Sequence, residues 1–245
     1  MTHPVALVTN VTQYAGPAGS TALAADGFRT VCHDYTFTDD AVRAAFAEAN
    51  PALTPIAEQE PEAMLAAARV HGSVDVVLSN DWVPPAVVGS AFDSAAPEDF
   101  EFVMRELVYR PFRLIQAAIP SMKANRSGRI IVMTSAVAVR PYASAVLYSA
   151  ARAAATAMTT AAAKALGEFG VQLNAIGPNW FENPTYFPPG RWEEDAELRA
   201  QVAKEVPLQR LGQQHEMGAL IAFLASGKAA PVTGQFFGFT GGWLP

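Results

Sequence analysis

Short apolar runs, each closed by polar or small residues, recur along the chain. Val5–Val8, Thr30–His33, Asp75–Ser79, Gly128–Thr134 and Val171–Ile176 read as buried strands. Between them apolar positions return at helical spacing over 17–26, 39–49, 61–71, 97–125 and 145–169. Gly27 and Gly170 stand where helices close, as a residue free to adopt positive φ should. A Pro- and aromatic-rich segment, 177–192, has neither period. Helical patterns at 193–205 and 213–226 and a strand at 234–239 follow.

Strands alternating with helices predict a parallel sheet covered on both faces, an α/β, Rossmann-like doubly wound fold. No Gly/Ser linker, charge block or repeat interrupts the pattern, so 1–245 reads as one domain. In such sheets ligands bind outside the carboxyl ends of the strands. Residues that end a strand therefore carry the functional reading.

Composition narrows the classes. The formal charge is −6 and no basic tract is present, which argues against nucleic acid. No apolar stretch is long and charge-free enough to span a membrane, and the N-terminus runs directly into a strand without a signal peptide. Cys32 is the only cysteine. It allows no intrachain disulfide, fits a reducing cytoplasm and reads as buried filler.

After the first strand the chain reads Thr9-Asn10-Val11-Thr12-Gln13-Tyr14-Ala15-Gly16-Pro17. A dinucleotide loop at this place needs glycines for its tight turn and for close approach of pyrophosphate to backbone N–H groups. Only Gly16 remains; Asn10 and Tyr14 add bulk, and Pro17 removes a donor at the helix start. Asp34 ends the second strand where an acidic residue can hold a ribose, a weak signal because Asp commonly opens turns.

A different constellation is intact. Ser135 follows the strand 128–134, Tyr148 comes thirteen residues later and Arg152 four after that. Positions i and i+4 share one helix face, so the guanidinium can lie beside the phenol. A fixed cation there favours the phenolate, which makes Tyr148 a candidate general base. Ser135 can bind a substrate oxygen.

This spacing is similar to the short-chain dehydrogenase signature, with Arg152 in place of its lysine. Joined to the aromatic at 14 and the altered loop, it resembles the halohydrin dehalogenases, over essentially the whole chain and including the ending Thr233-Gly234-Gln235…Gly241-Gly242-Trp243. Two departures from the dehydrogenases point the same way. Counting back from Ala117-Ala118-Ile119-Pro120-Ser121-Met122 puts Leu107 at the place of their relay Asn and Arg110 at a Gly. Ser79-Asn80-Asp81-Trp82-Val83-Pro84-Pro85 replaces their N-N-A-G.

The resemblance implies a short-chain-dehydrogenase-like fold without a nicotinamide cofactor or a metal. It implies conversion of vicinal halohydrins to epoxides, with halide, azide, cyanide or nitrite opening epoxides in reverse. It assigns catalysis to Ser135, Tyr148 and Arg152, with Asp81 as a proton relay. The halide site falls to the backbone amides of Trp180 and Phe181, with Pro178, Asn179, Phe187 and Tyr14 as walls. Pro84, Val137, Val139 and Tyr142 are expected to shape the substrate pocket, Trp192 its outer wall, and Trp243 to reach a neighbouring active site. A homotetramer is implied, with helices 97–125 and 145–169 as contact faces. Two alternatives stay open: an NAD(P)-dependent oxidoreductase with a divergent loop, which would bind NADH, and an inactive short-chain-like binding protein, which would release no bromide.

Overall fold

A computed structural model describes residues 3–89, 91–228 and 230–244. Its elements alternate: β1 (Val5–Val8), α1 (Gly16–Ala25), β2 (Arg29–His33), α2 (Asp40–Ala49), β3 (Leu53–Ile56), α3 (Pro61–Arg69) and β4 (Val74–Ser79). Then follow α4 (Pro85–Val88), α5 (Pro97–Met104), α6 (Arg110–Asn125), β5 (Gly128–Met133), α7 (Val146–Leu166) and β6 (Val171–Pro178). The last are α8 (Arg191–Glu194), α9 (Ala196–Glu205), α10 (Gln214–Ala225) and β7 (Phe236–Phe239).

The sheet order is β3-β2-β1-β4-β5-β6-β7, with every pairing parallel. Order reverses between β1 and β4, so their carboxyl ends open the crevice in which such folds bind ligands. Side-chain alternation builds two apolar layers. Val5 and Leu7 pack with α3, α6 and α7 residues such as Met64, Leu114 and Ala163. Ala6 and Val8 pack on the other face with Leu23 of α1 and Ile221 of α10. Both layers are built mainly of buried aliphatic side chains, the main driving force for this fold.

Three elements differ from the expected pattern. Residues 53–56 form an edge strand that carries no strand signal in the sequence, where Pro55 interrupts the pattern. At the sheet edge a proline costs no ladder hydrogen bond that a neighbour needs. The helix expected over 97–125 is interrupted by a π turn at Arg105–Tyr109. Pro111 cannot donate an amide to the preceding turn, which lets the helix widen there. The helix expected at 193–205 splits at Asp195, whose carboxylate caps α9 by accepting from Leu198 N at 2.8 Å.

Candidate active site

The loop after β1 keeps a glycine-like backbone without the glycines. Asn10 and Tyr14 are both left-handed, at φ +49° and +48°. Tyr in this region costs about 1 kcal/mol, and Asn less. Gly16 is retained for space: a Cβ there would lie 2.4 Å from the Asn10 carbonyl oxygen. Asn80, fully buried at the end of β4, ties the loop down. Its Nδ2 donates to the Asn10 and Gln13 carbonyls at 3.0 and 2.9 Å, and its Oδ1 accepts from Ala15 N at 3.1 Å. This role escaped the sequence reading, which took the segment only as a departure.

The space outside this loop is filled from the segment after β6. Asn183 Oδ1 accepts from the amides of Thr185 and Tyr186, which turns the chain back toward β1. Thr185 Oγ1 then accepts from Tyr14 N at 2.7 Å and donates to Gln13 Oε1 at 3.0 Å. Tyr186 donates its hydroxyl proton to the Val83 carbonyl at 3.0 Å. Tyr14 donates to the Thr134 carbonyl at 3.0 Å. Both oxygens of Asp34 are consumed by Thr12 and Thr36, so Asp34 is a turn cap.

Ser135, Tyr148 and Arg152 meet beside this strap. Ser135 follows β5 and its Oγ accepts from Val137 N at 3.4 Å. Tyr148 and Arg152 lie one turn apart on α7, 5% and 0% exposed. Arg152 donates to the Met133 and Asp81 carbonyls at 2.9 and 2.8 Å. Its guanidinium carbon is 4.9 Å from the Tyr148 ring centroid and 5.5 Å from that of Tyr14. Burial works to lower the Arg152 pKa, but Tyr148, Tyr14 and Tyr186 outweigh it and hold the group firmly cationic. Burial, then the neighbouring Tyr148, keeps Tyr14 and Tyr186 well above the usual phenol range, so both remain neutral donors.

A cavity of about 170 Å³ opens in front of this group. Of the residues singled out in the sequence, Tyr14, Ser135, Val137, Tyr142, Tyr148, Pro178, Asn179, Trp180, Phe181 and Phe187 line it. Val88, Ala145, Asn183 and Tyr186 also line it and were not anticipated. Tyr186 lay in the aromatic segment after β6, but nothing local distinguishes it from its neighbours. Trp180 is left-handed at φ +54°, and the adjoining parallel bridge uses its carbonyl and the Glu182 amide. The Trp180 and Phe181 N–H groups donate to no acceptor among the described residues. Successive free amides around a left-handed residue form an anion-binding concavity.

Five expected placements need correction. Pro84 heads α4 and faces solvent. Val139 is 56% exposed, outside the cavity. Trp192 is half-buried against the apolar cluster around Leu198 and Val202 and stands off the cavity. Trp243 is 2% exposed within its own chain, packed behind Tyr142 rather than directed outward. Asp81 lies behind Arg152 and holds it through its carbonyl. Its carboxylate accepts from Ser79 Oγ at 2.5 Å and faces a separate cavity of about 10 Å³ among His33, Tyr35 and Arg110. Burial pushes the Asp81 pKa up to about 6, against the Ser79 hydrogen bond and Arg152. Leu107, at the place of a relay Asn, is buried against the cluster that includes Tyr148 and Ala151.

The family model for Enoyl-(Acyl carrier protein) reductase matches residues 16–243. A halohydrin dehalogenase (HheC) structure, bound to ethyl (2S)-oxiran-2-ylacetate, superposes with a TM-score of 0.94 at 39% identity, over 97% of this chain and 96% of that one. The chain belongs to the halohydrin dehalogenase family, within the short-chain dehydrogenases and reductases. A second structure, called a dehalogenation enzyme, gives a TM-score of 0.93 at 35% identity over 99% and 98% of the two chains. The wider group includes a 3-oxoacyl-[acyl-carrier-protein] reductase of Thermotoga maritima, 30% identical over 70% of this chain and 67% of the reductase. Dehydrogenase/reductase SDR family member 4 of Bos taurus is 28% identical over 99% and 88%. Dehydrogenases of this wider fold take a nicotinamide dinucleotide at the loop after β1. The residues here do not fit one: the Tyr14 amide is bound by Thr185, and the Thr185–Tyr186 strap fills the cleft. Among the described residues no group of three or more His, Cys, Asp or Glu could hold a metal, and no helix is long and apolar enough to cross a membrane.

Proposed function

We propose that the protein is a halohydrin dehalogenase, a lyase that forms epoxides from vicinal halohydrins without a nucleotide cofactor. One observation carries the reading: Ser135 and Tyr148, with Arg152 buried behind Tyr148, face a cavity that is also lined by Trp180 and Phe181 with their free amides, while the dinucleotide cleft is filled by Tyr14, Thr185 and Tyr186. The related HheC structure, which holds an epoxide ester, supports it.

Ser135 and Tyr148 bind the substrate hydroxyl. Tyr148, as phenolate stabilised by Arg152, takes its proton. The alkoxide oxygen attacks the adjacent carbon, and the carbon–halogen bond breaks with its electron pair leaving on the halide. The Trp180 and Phe181 amides stabilise that charge where it develops. The proton on Tyr148 returns to solvent before the next turnover. In reverse, Ser135 and protonated Tyr148 hold the epoxide oxygen while a small anion such as azide, cyanide or nitrite attacks carbon. The cavity lining carries no charged side chain, which suits neutral substrates.

Bromide release from a simple vicinal bromohydrin, with no nucleotide added, tests the reading. Folded protein that releases none overturns it. The oxidoreductase family model favours a second reading, an NAD(P)-dependent reductase. Titration with NADH separates the two, since saturable binding is expected only of a reductase.

A further inference from the structure

The loop that carries the free amides is held from outside the cavity. Residues 180–182 pair with the stretch that leads into α10, through a parallel bridge between Phe181 and Gly212. The Gly212 N–H donates to the Trp180 carbonyl at 2.8 Å, and the Glu182 N–H donates to the Gly212 carbonyl at 2.9 Å. Gln214, the first residue of α10, adds a third bond: its Nε2 donates to the Glu182 carbonyl at 2.8 Å. The start of that helix is itself fixed. The Glu216 carboxylate accepts from Gln213 N at 2.8 Å and from the two Arg210 Nη groups at 2.8 and 2.6 Å.

These contacts decide which way the amides point. The peptides here are trans, and in a trans peptide the carbonyl and the N–H point in opposite directions. The Trp180 carbonyl and the Phe181 N–H belong to one peptide. With that carbonyl turned onto Gly212, the Phe181 N–H is turned away from it. The next peptide repeats the arrangement. Its Glu182 N–H meets Gly212, so the Phe181 carbonyl faces the other flank, where Asn183 Nδ2 donates to it at 2.5 Å. Asn183 lines the cavity. The free Phe181 N–H therefore lies on the flank that Asn183 occupies, and Gly212 holds the opposite one. Gly212 has no room for a side chain: a Cβ there would lie 2.4 Å from Cε1 of Phe239, whose ring packs edge-on against Phe181 with centroids 5.7 Å apart.

We propose that Gly212 and Gln214 are positioning residues for anion binding: from outside the cavity they lock the peptides of 180–182 in the orientation that leaves the Phe181 N–H for the departing halide. The proposal rests on the dehalogenase reading of the site. Neither residue lines the cavity, and neither bonds to Ser135 or Tyr148, the groups that hold the substrate oxygen. Their effect therefore falls on the anion and spares the neutral part of the substrate.

The experiment compares wild type with Gln214→Met, Gly212→Ala, Phe239→Leu and the double variant Gly212→Ala, Phe239→Leu. Methionine keeps the length of Gln214 and removes the donor. Leucine at 239 removes the ring atoms that a Cβ at 212 would strike. Sodium bromide affinity is measured as the saturable quench of tryptophan fluorescence and as product inhibition of bromohydrin turnover. Affinity for the neutral epoxide product is measured by its own inhibition of turnover, with circular dichroism confirming the fold. Gln214→Met should weaken bromide binding about fivefold, the worth of one hydrogen bond, and leave epoxide affinity unchanged. Gly212→Ala should weaken bromide binding at least as much, and the double variant should return to within about twofold of Phe239→Leu. Unchanged bromide affinity in Gln214→Met overturns the proposal, as does an equal loss of bromide and epoxide affinity, the mark of a merely structural role. A double variant that binds bromide as weakly as Gly212→Ala overturns it too. If Gly212→Ala does not fold, Gln214→Met decides alone. Wild type that turns over no bromohydrin defeats the functional reading instead, so the two failures are distinguishable.

Discussion

Arg152 is a full charge with no solvent contact, held by two carbonyl oxygens and lying against two tyrosine rings. No carboxylate pairs with it among the described residues, so an anion formed beside it is strongly favoured. That makes its charge, rather than its shape, the testable quantity. Arg152→Gln should lower bromide release sharply, while Arg152→Lys should keep part of the activity. Bromide-release rates of the three proteins decide this, and an Arg152→Gln rate equal to wild type removes Arg152 from the mechanism. Tyr148→Phe deletes one hydroxyl and should cost more than about tenfold in kcat/KM, or about 1.4 kcal/mol of transition-state stabilisation. Retention of more than a tenth of the activity, about that same free energy, would exclude Tyr148 as the base.

At the scale of elements, the cofactor cleft is closed by two segments far apart in sequence. The loop after β1 supplies Tyr14, and the segment after β6 supplies Thr185 and Tyr186. The second segment keeps the cleft closed without the Tyr14 side chain, because Thr185 occupies the backbone amide at position 14 and Tyr186 spans to Val83. Restoring glycine at both loop positions therefore leaves the obstruction standing. The double variant Asn10→Gly, Tyr14→Gly should show no saturable NADH binding and no nucleotide oxidation. Appearance of either activity would mean that the loop alone decides between the two chemistries. Glycine suits the left-handed backbone at both places, so the variant should fold.

For the whole molecule, two buried groups on either side of one small cavity titrate in opposition. Burial lowers the His33 pKa from 6.5 to about 4, with its Nδ1 accepting from Asn10 N at 3.3 Å and Nε2 on the Gln59 side at 3.2 Å. The unfolded chain then takes up this proton first, so acid removes stability between pH 6.5 and about 4. Asp81 has the reverse sign: its folded pKa is raised from 3.8 to about 6, so its contribution is present in acid and lost as pH rises across that interval. Each shift of about two units corresponds to roughly 3 kcal/mol, so the two largely cancel. Wild-type stability should be nearly flat from these groups, whereas Asp81→Asn should gain stability steeply with rising pH. Urea unfolding between about pH 4 and 7, the span these linked groups cover, measures it. An equal slope in the two proteins would show that Asp81 is not buried as a neutral acid.

The sequence alone determined the alternation of strands and helices apart from β3 and α4, and the grouping of Ser135, Tyr148 and Arg152. Both depend on short-range regularities: alternation along a strand, helical spacing, and a Ser–Tyr–Arg interval that one strand end and one helix face carry. It also showed that Asn10 and Tyr14 put side chains where a dinucleotide loop has glycines, each of which has a steric task there. Tertiary structure decided what those residues meet. Asn80 as the tie of the loop, Tyr186 as the filler of the cleft and Glu205 as the acceptor of the Trp243 indole N–H each depend on contacts across dozens of residues. No local pattern encodes such pairings. Trp243 shows the limit most plainly: whether a tryptophan near a chain's end packs on its own chain or projects outward depends on a free partner surface, and Tyr142, Arg140 and Glu205 provide one here.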